Sequence, residues 1–212
     1  MDRSAKTKYF ELILPHIRKR GFSHMKIDEI LKYLNISKAT FYKHFSSRDD
    51  LIEQLVIDYA SQVVDVDPIV LDKEIPFSER FQRIFEQSLL SVLIMTDEFY
   101  YDIKQNQPTL ISHITAAQTK RCDLLQQFYR EGFDKGIFHS INPVVFFLQD
   151  DPVLRRLMDP FLLNYYNTTL KQQFLDYYTI KKASLFKDNF LNTAEDELIE
   201  QKITDILRIS FI

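Results

Sequence analysis

The chain has 212 residues and a mass of 25.3 kDa, with 45% apolar and 27% charged residues, an ordinary composition for a globular protein with a sizeable core. Its three glycines, Gly21, Gly132 and Gly136, cannot form a glycine-rich phosphate loop or a dinucleotide-binding fingerprint, so nucleotide-dependent enzymes of these two types are excluded. Residues 1–50 hold 11 Lys and Arg against 6 Asp and Glu, whereas the rest holds 16 against 24, which indicates that the first quarter meets a polyanion.

Apolar residues recur at helical spacing through almost the whole chain, so we expect helices and few hairpin turns. The first predicted helix ends at Gly21, in the left-handed conformation that glycine accepts. Pro15 lies inside this helix and predicts a kink or a later start. The apolar stripe of the helix, spaced i, i+3, i+4 and i+7, consists of Phe10, Ile13, Leu14 and Ile17.

A short second helix, a tight turn and a short third helix follow. The apolar spacing places the second helix at Ile27–Leu34. Asparagine tolerates a positive φ, so Asn35–Ser37 is predicted to be the turn. Ser37 is expected to cap the third helix, Lys38–Phe45.

A longer fourth helix is predicted to connect this part of the chain to the rest. Ser47 and Asp50 form a capping box at its start, and its pattern runs from Asp49 to about Val64. The segment Asp65–Pro76 contains two prolines and mixed charges, so we expect a loop and the domain boundary there.

The remaining residues are predicted to form a series of helices. Asn142, Asp151 and Asp159 each precede a proline and are expected to cap a helix that begins there. The last helix is expected to begin with Thr193 and Asp196 as a capping pair. The main predicted helices are Phe77–Met95, Glu98 to about Gln105, about Leu110–Lys135, Thr169–Phe186 and Thr193–Ser210.

The second and third helices have the lengths and the intervening turn of a helix-turn-helix motif, whose second helix enters the major groove of DNA. No acidic residue occurs between positions 30 and 48. The residues that hold the two helices together are expected to be Ile27, Ile30, Leu31, Ile36, Phe41 and Phe45. This leaves exposed a set of side chains of types that bond phosphates and base edges: Lys38, Ala39, Thr40, Tyr42, Lys43 and His44.

Residues 36–51, with the sequence ISKATFYKHFSSRDDL, resemble the recognition-helix signature of the TetR/AcrR family of bacterial transcription regulators, VSKGTLYxHFxxKExL. The resemblance extends over roughly residues 9–55 and includes Gly21-Phe22 upstream. It implies an all-α homodimer with a three-helix DNA-binding domain over residues 1–50. A connecting helix to about residue 64 would join this domain to a larger helical bundle over residues 65–212, which binds a ligand and dimerises.

The resemblance also implies a set of DNA contacts, with Arg48 clamping a phosphate at the start of the fourth helix. At residue 25 the family usually has a Thr or Ser that caps the second helix, and Met25 stands there in this chain, so Ser23 is expected to supply the cap. The predicted DNA-binding residues are Lys26, Ser37, Lys38, Ala39, Thr40, Tyr42, Lys43, His44 and Arg48.

The part of the chain after residue 64 is rich in Phe and Tyr, whose ordinary role is core packing. In the resembled family the ligand pocket lies in this part, and an apolar or aromatic effector would suit such a lining. The candidate pocket residues are Phe85, Phe99, Ile103, Leu125 and Tyr129. The candidate dimer surface combines the final helix with Phe161, Tyr165, Tyr166, Phe174, Tyr177 and Tyr178.

The function expected is that of a transcriptional repressor, released from a palindromic DNA operator by a small-molecule effector. One alternative is a DNA-bound assembly or architectural factor without an effector. Another is a helical-bundle enzyme, but the sequence offers no cluster of acids, bases or metal ligands, so we expect neither enzymatic activity nor a metal or cofactor. The single Cys122 excludes an internal disulfide, and no segment resembles a signal peptide or a membrane span, so a cytoplasmic protein without a membrane partner is expected.

Overall fold

The computed structural model describes residues 3–64, 68–191 and 196–211. Within these ranges the regular elements are helices, accompanied by one isolated antiparallel bridge between Phe138 and Phe186. The all-α prediction is therefore confirmed. The predicted capping residue Thr193 and the start of the predicted loop at 65–67 lie outside the described residues.

The described residues form thirteen α-helices and two short 3-10 turns. The first six helices are α1 Arg3–Arg20, α2 Ile27–Leu34, α3 Lys38–His44, α4 Arg48–Val64, α5 Pro68–Leu71 and α6 Phe77–Ile94. The next four are α7 Asp97–Asn106, α8 Ile111–Asp134, α9 Pro143–Leu148 and α10 Asp150–Leu157. The last three are α11 Pro160–Tyr165, α12 Leu170–Leu185 and α13 Asp196–Phe211, and the 3-10 turns are Pro108–Leu110 and Asp188–Phe190.

Most predicted helix ends are confirmed, because short-range capping chemistry determines them. Gly21 has a φ of +71° and follows the last residue of α1. The side chains of Asn142, Asp159 and Thr169 accept hydrogen bonds from backbone N–H groups at the starts of α9, α11 and α12. At α4, the N–H of Asp50 donates to Oγ of Ser47 at 3.0 Å.

Two local predictions are wrong, and one part of a third is excluded. Helix α1 begins at Arg3 and contains Pro15, so of the two effects predicted for this proline, a kink or a later start, the later start does not occur. Asp151 does not cap a helix before Pro152, because α10 begins one residue earlier, at Asp150, and Gln149 occupies the cap position without a side-chain bond. Lys26, and not Ser23, occupies the cap position of α2.

Packing divides the chain into two compact units. Of the described residues, one unit, called here the N-terminal unit, combines 3–64 with 93–118, and the other, the C-terminal unit, combines 68–92 with 119–191 and 196–211. The unit with the helix-turn-helix sequence thus contains α7 as well as α1 to α4. The predicted functional boundary near residue 65 stays a prediction.

The core of the N-terminal unit joins α1 to α4 with α7 and the start of α8. Phe22 and Phe99 pack edge to face at 6.2 Å between ring centroids, and Ile103 is completely buried in the same cluster. Two of the predicted ligand-pocket residues, Phe99 and Ile103, therefore lie in this core.

The core of the C-terminal unit is strongly aromatic. Its buried rings include Phe81, Phe85, Phe128, Tyr129, Phe138, Phe174, Tyr177, Tyr178 and Phe186. Within the predicted dimer surface, Phe174, Tyr177 and Tyr178 are thus core residues, because α12 turns this face inward. Phe161, Tyr165 and Tyr166 are about two-thirds exposed, as that prediction requires.

Candidate nucleic-acid interface

The turn between α2 and α3 is fixed by backbone hydrogen bonds. Asn35 has a φ of +52°, and its N–H donates to the carbonyl of Lys32 at 3.2 Å. The N–H of Ile36 donates to the carbonyl of Leu31, also at 3.2 Å. This pair of bonds is the Schellman motif, which ends a helix and turns the chain sharply.

Helix α3 is capped at its start and anchored by two rings. Oγ of Ser37 accepts the N–H of Thr40 at 3.0 Å, and the two hydroxyl groups lie 2.9 Å apart. Phe41 and Phe45 are fully buried, with ring centroids 5.3 Å apart. Because these rings hold one face of a seven-residue helix, the opposite face stays in solvent.

The exposed face of α3 carries most of the predicted DNA contacts. Lys38, Ala39, Lys43 and Tyr42 are exposed, and the exposed fraction of Tyr42 is 50%. Ammonium and phenol groups on such a face can donate to phosphates and base edges, and alanine permits close approach to a base.

The other predicted contacts border this face. Lys26 and Ser37 are exposed, whereas Thr40 and His44 are half-buried. The ring of His44 packs edge to face against Tyr9 of α1, with the centroids 5.1 Å apart. The structure therefore brings the exposed lysines, Tyr42 and the two hydroxyl residues together around one short helix.

Arg48 begins α4 and also contacts the turn before α2. Its Nη1 donates to the carbonyl oxygen of Ser23 at 2.9 Å, and its Nη2 lies 2.9 Å from the Asp49 carboxylate. The side chain of Arg48 is 34% exposed, so its guanidinium reaches solvent while it links α4 to the turn at residues 21–26.

Asp102 of α7 is a further candidate, which the sequence motifs do not single out. Its carboxylate accepts the backbone N–H groups of Phe22 and Ser23, so it binds the same turn as Arg48. The signal was present in the sequence: Asp102 stands on the buried stripe of its helix, three residues after Phe99 and one before Ile103. A carboxylate at such a position requires hydrogen-bond donors from another element.

The remaining predicted pocket residues lie in the C-terminal unit, beside a buried polar cluster. Phe85, Leu125 and Tyr129 are each at most 1% exposed. Burial raises the pKa of Tyr129 well above its ordinary value, and the Asp150 carboxylate raises it further. Phe99 and Ile103 belong to the other unit, so the structure groups three of the five candidates and not all of them.

Asp150 is the centre of this buried cluster. Its carboxylate accepts the hydroxyl groups of Ser88 and Tyr177 at 3.0 and 3.1 Å and pairs with Nζ of Lys181 at 3.0 Å. Burial lowers the pKa of Lys181, although the nearby carboxylate opposes this shift. Arg121 donates to the same Ser88 oxygen at 3.2 Å, so the cluster combines both signs of charge among aromatic side chains.

Among the residues that the structure describes, no group of three or more His, Cys, Asp or Glu side chains is arranged to hold a metal ion. None of the described helices is long and apolar enough to cross a membrane.

Residues 16–55 match the sequence model of the family described as bacterial regulatory proteins, tetR family. The matched range runs from the last residues of α1 to the start of α4, so it includes α3, whose exposed face is described above. No curated protein matches the chain in sequence.

Several solved structures share the fold over nearly the whole chain. A transcriptional regulator of Saccharomonospora viridis, in complex with choline, has a TM-score of 0.64 and 16% identity. The match covers 88% of this chain and 100% of the regulator's chain. The ketosteroid transcriptional regulator KstR2 of Mycobacterium tuberculosis has a TM-score of 0.63 and 15% identity, covering 89% and 98%. The regulator FadR of Bacillus subtilis, in complex with stearoyl-CoA, has a TM-score of 0.58 and 13% identity, covering 84% and 98%.

At identities of 15–16% the structural likeness shows a common fold and no more. The match to the family's sequence model is limited to residues 16–55. Residues 16–55 are therefore similar to the family of bacterial regulatory proteins described as tetR, and the chain shares the all-helical fold of the solved structures named above.

Proposed function

We propose that the protein is a transcriptional repressor that binds a palindromic DNA operator as a homodimer and leaves it when a small-molecule effector binds. The observation that carries the proposal is the exposed face of α3, where Lys38, Tyr42 and Lys43 project from a helix anchored by buried Phe41 and Phe45. A short, rigid helix with donors on its free face is what the major groove accepts.

The dimer follows from the geometry of DNA. One seven-residue helix reads only a few base pairs, so specificity requires a second copy on the other half-site. Two recognition helices related by a two-fold axis fit successive major grooves if they are about 34 Å apart or a multiple of this distance.

The effector is proposed to bind in the C-terminal unit, near Phe85, Leu125 and Tyr129. These side chains are buried in the core, so the ligand has to displace part of their packing; the lining then suits an apolar or aromatic ligand, and a polar group on it can compete for the paired Asp150 and Lys181. Such a ligand releases DNA only if it binds more tightly to a dimer whose recognition helices do not fit the operator.

The test is selection of binding sites from random duplex DNA, followed by affinity measurement on the selected duplex at fixed salt. We expect an inverted repeat. Lys43→Ala should weaken binding by about 10-fold or more, because an exposed donor in the groove is lost while the fold stays intact. Lys73→Ala is the matched control, since it removes one exposed lysine from the loop before α6.

Failure to select any sequence with folded, dimeric protein would contradict the proposal. Equal loss of affinity in the Lys43 and Lys73 variants would show that general charge, and not α3, carries the binding. A selected operator that no small molecule releases would favour a DNA-bound architectural factor instead.

A further inference from the structure

A carboxylate outside the helix-turn-helix sequence holds the turn that precedes it. Asp102 lies on α7 and is 8% exposed. Its Oδ2 accepts the backbone N–H groups of Phe22 and Ser23, the second at 2.8 Å. Its Oδ1 accepts Nδ2 of Asn106 at 2.7 Å. Both carboxylate oxygens are therefore occupied, and two donors of a largely buried turn are satisfied.

The turn and α7 fit closely at this point. Gly21 has a φ of +71°, and a Cβ atom at that position would overlap Oδ2 of Asp102. Glycine is therefore required both by the backbone conformation and by the approach of the carboxylate. Oγ1 of Thr96, at the start of α7, also donates to the carbonyl of Arg18 at 2.9 Å. Helix α7 thus holds the end of α1 and the turn that follows it.

The same turn supports Arg48. The carbonyl oxygen of Ser23 accepts Nη1 of Arg48 at 2.9 Å, while the N–H of Ser23 donates to Asp102. One residue of the turn therefore bonds to α7 through its N–H and to the first residue of α4 through its carbonyl. Fixing the N–H restricts the position of the carbonyl, and with it the guanidinium that reaches solvent.

We propose that Asp102 is a positioning residue for operator binding, which holds Arg48 in place for a phosphate through the backbone of Ser23. The inference rests on the proposed function, because Arg48 meets a phosphate only if the protein binds DNA. Asp102 is buried in α7, so its effect on affinity is indirect. Operator affinity is in this way made sensitive to the position of a helix outside the helix-turn-helix motif.

The first experiment compares Asp102→Asn with Glu98→Gln in the full-length protein on the selected operator. Glu98 is exposed on the same helix, and both substitutions remove one negative charge. Removing an acid favours DNA binding by general electrostatics, so Glu98→Gln should bind as tightly as the wild type or tighter. Asp102→Asn should bind about 10-fold more weakly, because the bonds to the turn lose their charge assistance and the bond from Asn106 is replaced by two facing donors.

The second measurement separates the positioning of a phosphate contact from general loosening. Affinity is measured over a range of salt concentrations for the wild type, Asp102→Asn, Arg48→Ala and the double variant. Loss of one phosphate contact reduces the logarithmic salt slope by about 0.9. We expect this reduction in both single variants and little further loss in the double variant, because the two residues act through one contact.

A rescue variant tests the hydrogen-bond pattern directly. In Asp102→Asn the new amide can offer its oxygen to the turn, but its NH₂ then faces Nδ2 of Asn106, and two donors meet. Adding Asn106→Asp places an acceptor opposite this NH₂, so the combined variant should regain part of the lost affinity, although the bond from Nδ2 of Asn106 to the carbonyl of Asp102 at 3.0 Å is lost. A general defect of folding would not be corrected by this exchange.

The outcomes distinguish failure of the proposed DNA-binding function from failure of the proposed role of Asp102. If the wild type selects no operator, both the proposed function and this role of Asp102 are overturned. If the wild type binds and Asp102→Asn behaves like Glu98→Gln, or keeps the full salt slope, only the role of Asp102 is overturned. If Asp102→Asn loses helical content, Asn106→Ala is measured in its place. Operator binding about threefold weaker than that of the wild type, with a reduced salt slope, supports the role of Asp102. Unchanged binding overturns that role.

Discussion

Ser37 shows how one residue serves both the fold and the proposed interface. Its Oγ caps α3 by accepting the N–H of Thr40 at 3.0 Å, yet the side chain is exposed at the end of the helix predicted to enter the groove. One hydroxyl group is therefore expected both to cap α3 and to contact DNA. Substitutions that differ in capping ability and in charge can separate these two roles.

We predict that Ser37→Ala lowers the free energy of unfolding by about 1 kcal/mol, and that Ser37→Asn restores it, because asparagine also caps helices. Ser37→Asp should be at least as stable as the wild type, since an acid is favourable at a helix N terminus. It should nevertheless bind the operator more weakly, because its charge repels phosphate. Urea unfolding and DNA titration measure the two effects, and normal operator binding by Ser37→Asp would show that this end of α3 does not face DNA.

At the scale of elements, Arg80 connects three helices of the C-terminal unit. It is 1% exposed, donates through Nε to the carbonyl of Val70 at 2.8 Å and pairs with Glu131 of α8 at 2.8 Å. Its guanidinium also stacks on Phe77 and Phe128. A buried charge with all these contacts is costly to leave without its carboxylate.

The pairing of Glu131 should appear in the pH dependence of stability. Burial acts to raise the pKa of Glu131, but hydrogen bonds from Arg80 and Lys135 outweigh it and hold the pKa below its ordinary value of 4.5. A carboxyl group with a lowered pKa in the folded state stabilises the fold above its unfolded pKa. This contribution is lost as the pH falls through the folded value.

We therefore expect Glu131→Gln to lower the free energy of unfolding by about 2 kcal/mol at pH 7. The difference between variant and wild type should shrink steadily below pH 4.5. Glu74→Gln, an exposed acid in the loop before α6, is the control and should show little difference at any pH. Urea unfolding at fixed protein concentration measures both, and a difference for Glu131 that does not change with pH would contradict the ionic explanation.

The elements also show what the sequence could predict. Helices, caps and the turn at Asn35 depend on neighbours within about five residues, so spacing and capping rules found them. The contacts of Asp102 with residues 22 and 23 join positions about eighty apart, and those of Asp150 join α6, α10 and α12. Such pairs depend on tertiary packing, so the sequence does not reveal the contacts of Asp150, and local rules predict a cap at Asp151 that does not form.

The burial of the aromatic residues of α11 and α12 likewise depends on tertiary packing and could not be predicted from the sequence. Six rings were predicted to form one dimer surface, but three of them pack inside the C-terminal unit. A helix of sixteen residues has both a buried and an exposed side, and composition alone does not assign a ring to either. The exposed group is reduced to Phe161, Tyr165 and Tyr166, where the rings of Phe161 and Tyr165 stack at 5.8 Å.

At the scale of the whole molecule, this remaining group leads to a prediction about assembly. Phe161, Tyr165 and Tyr166 are 66%, 70% and 67% exposed, and aromatic side chains are the type that anchors protein interfaces. We propose that they lie in the homodimer contact together with α13. Replacing all three by Ser should raise the dimer dissociation constant by about 100-fold or more, without loss of helical content.

Phe174→Ala provides the contrast, because Phe174 is completely buried. It should lower the free energy of unfolding by about 3–5 kcal/mol through the cavity that it leaves. Sedimentation velocity over a range of concentrations measures dimerisation, and thermal unfolding measures stability. If the triple variant remains dimeric at the lowest concentration, the contact lies elsewhere. If it dissociates but still binds the full operator with wild-type affinity, the two half-sites are read independently, and the requirement for a fixed spacing of the two recognition helices is wrong.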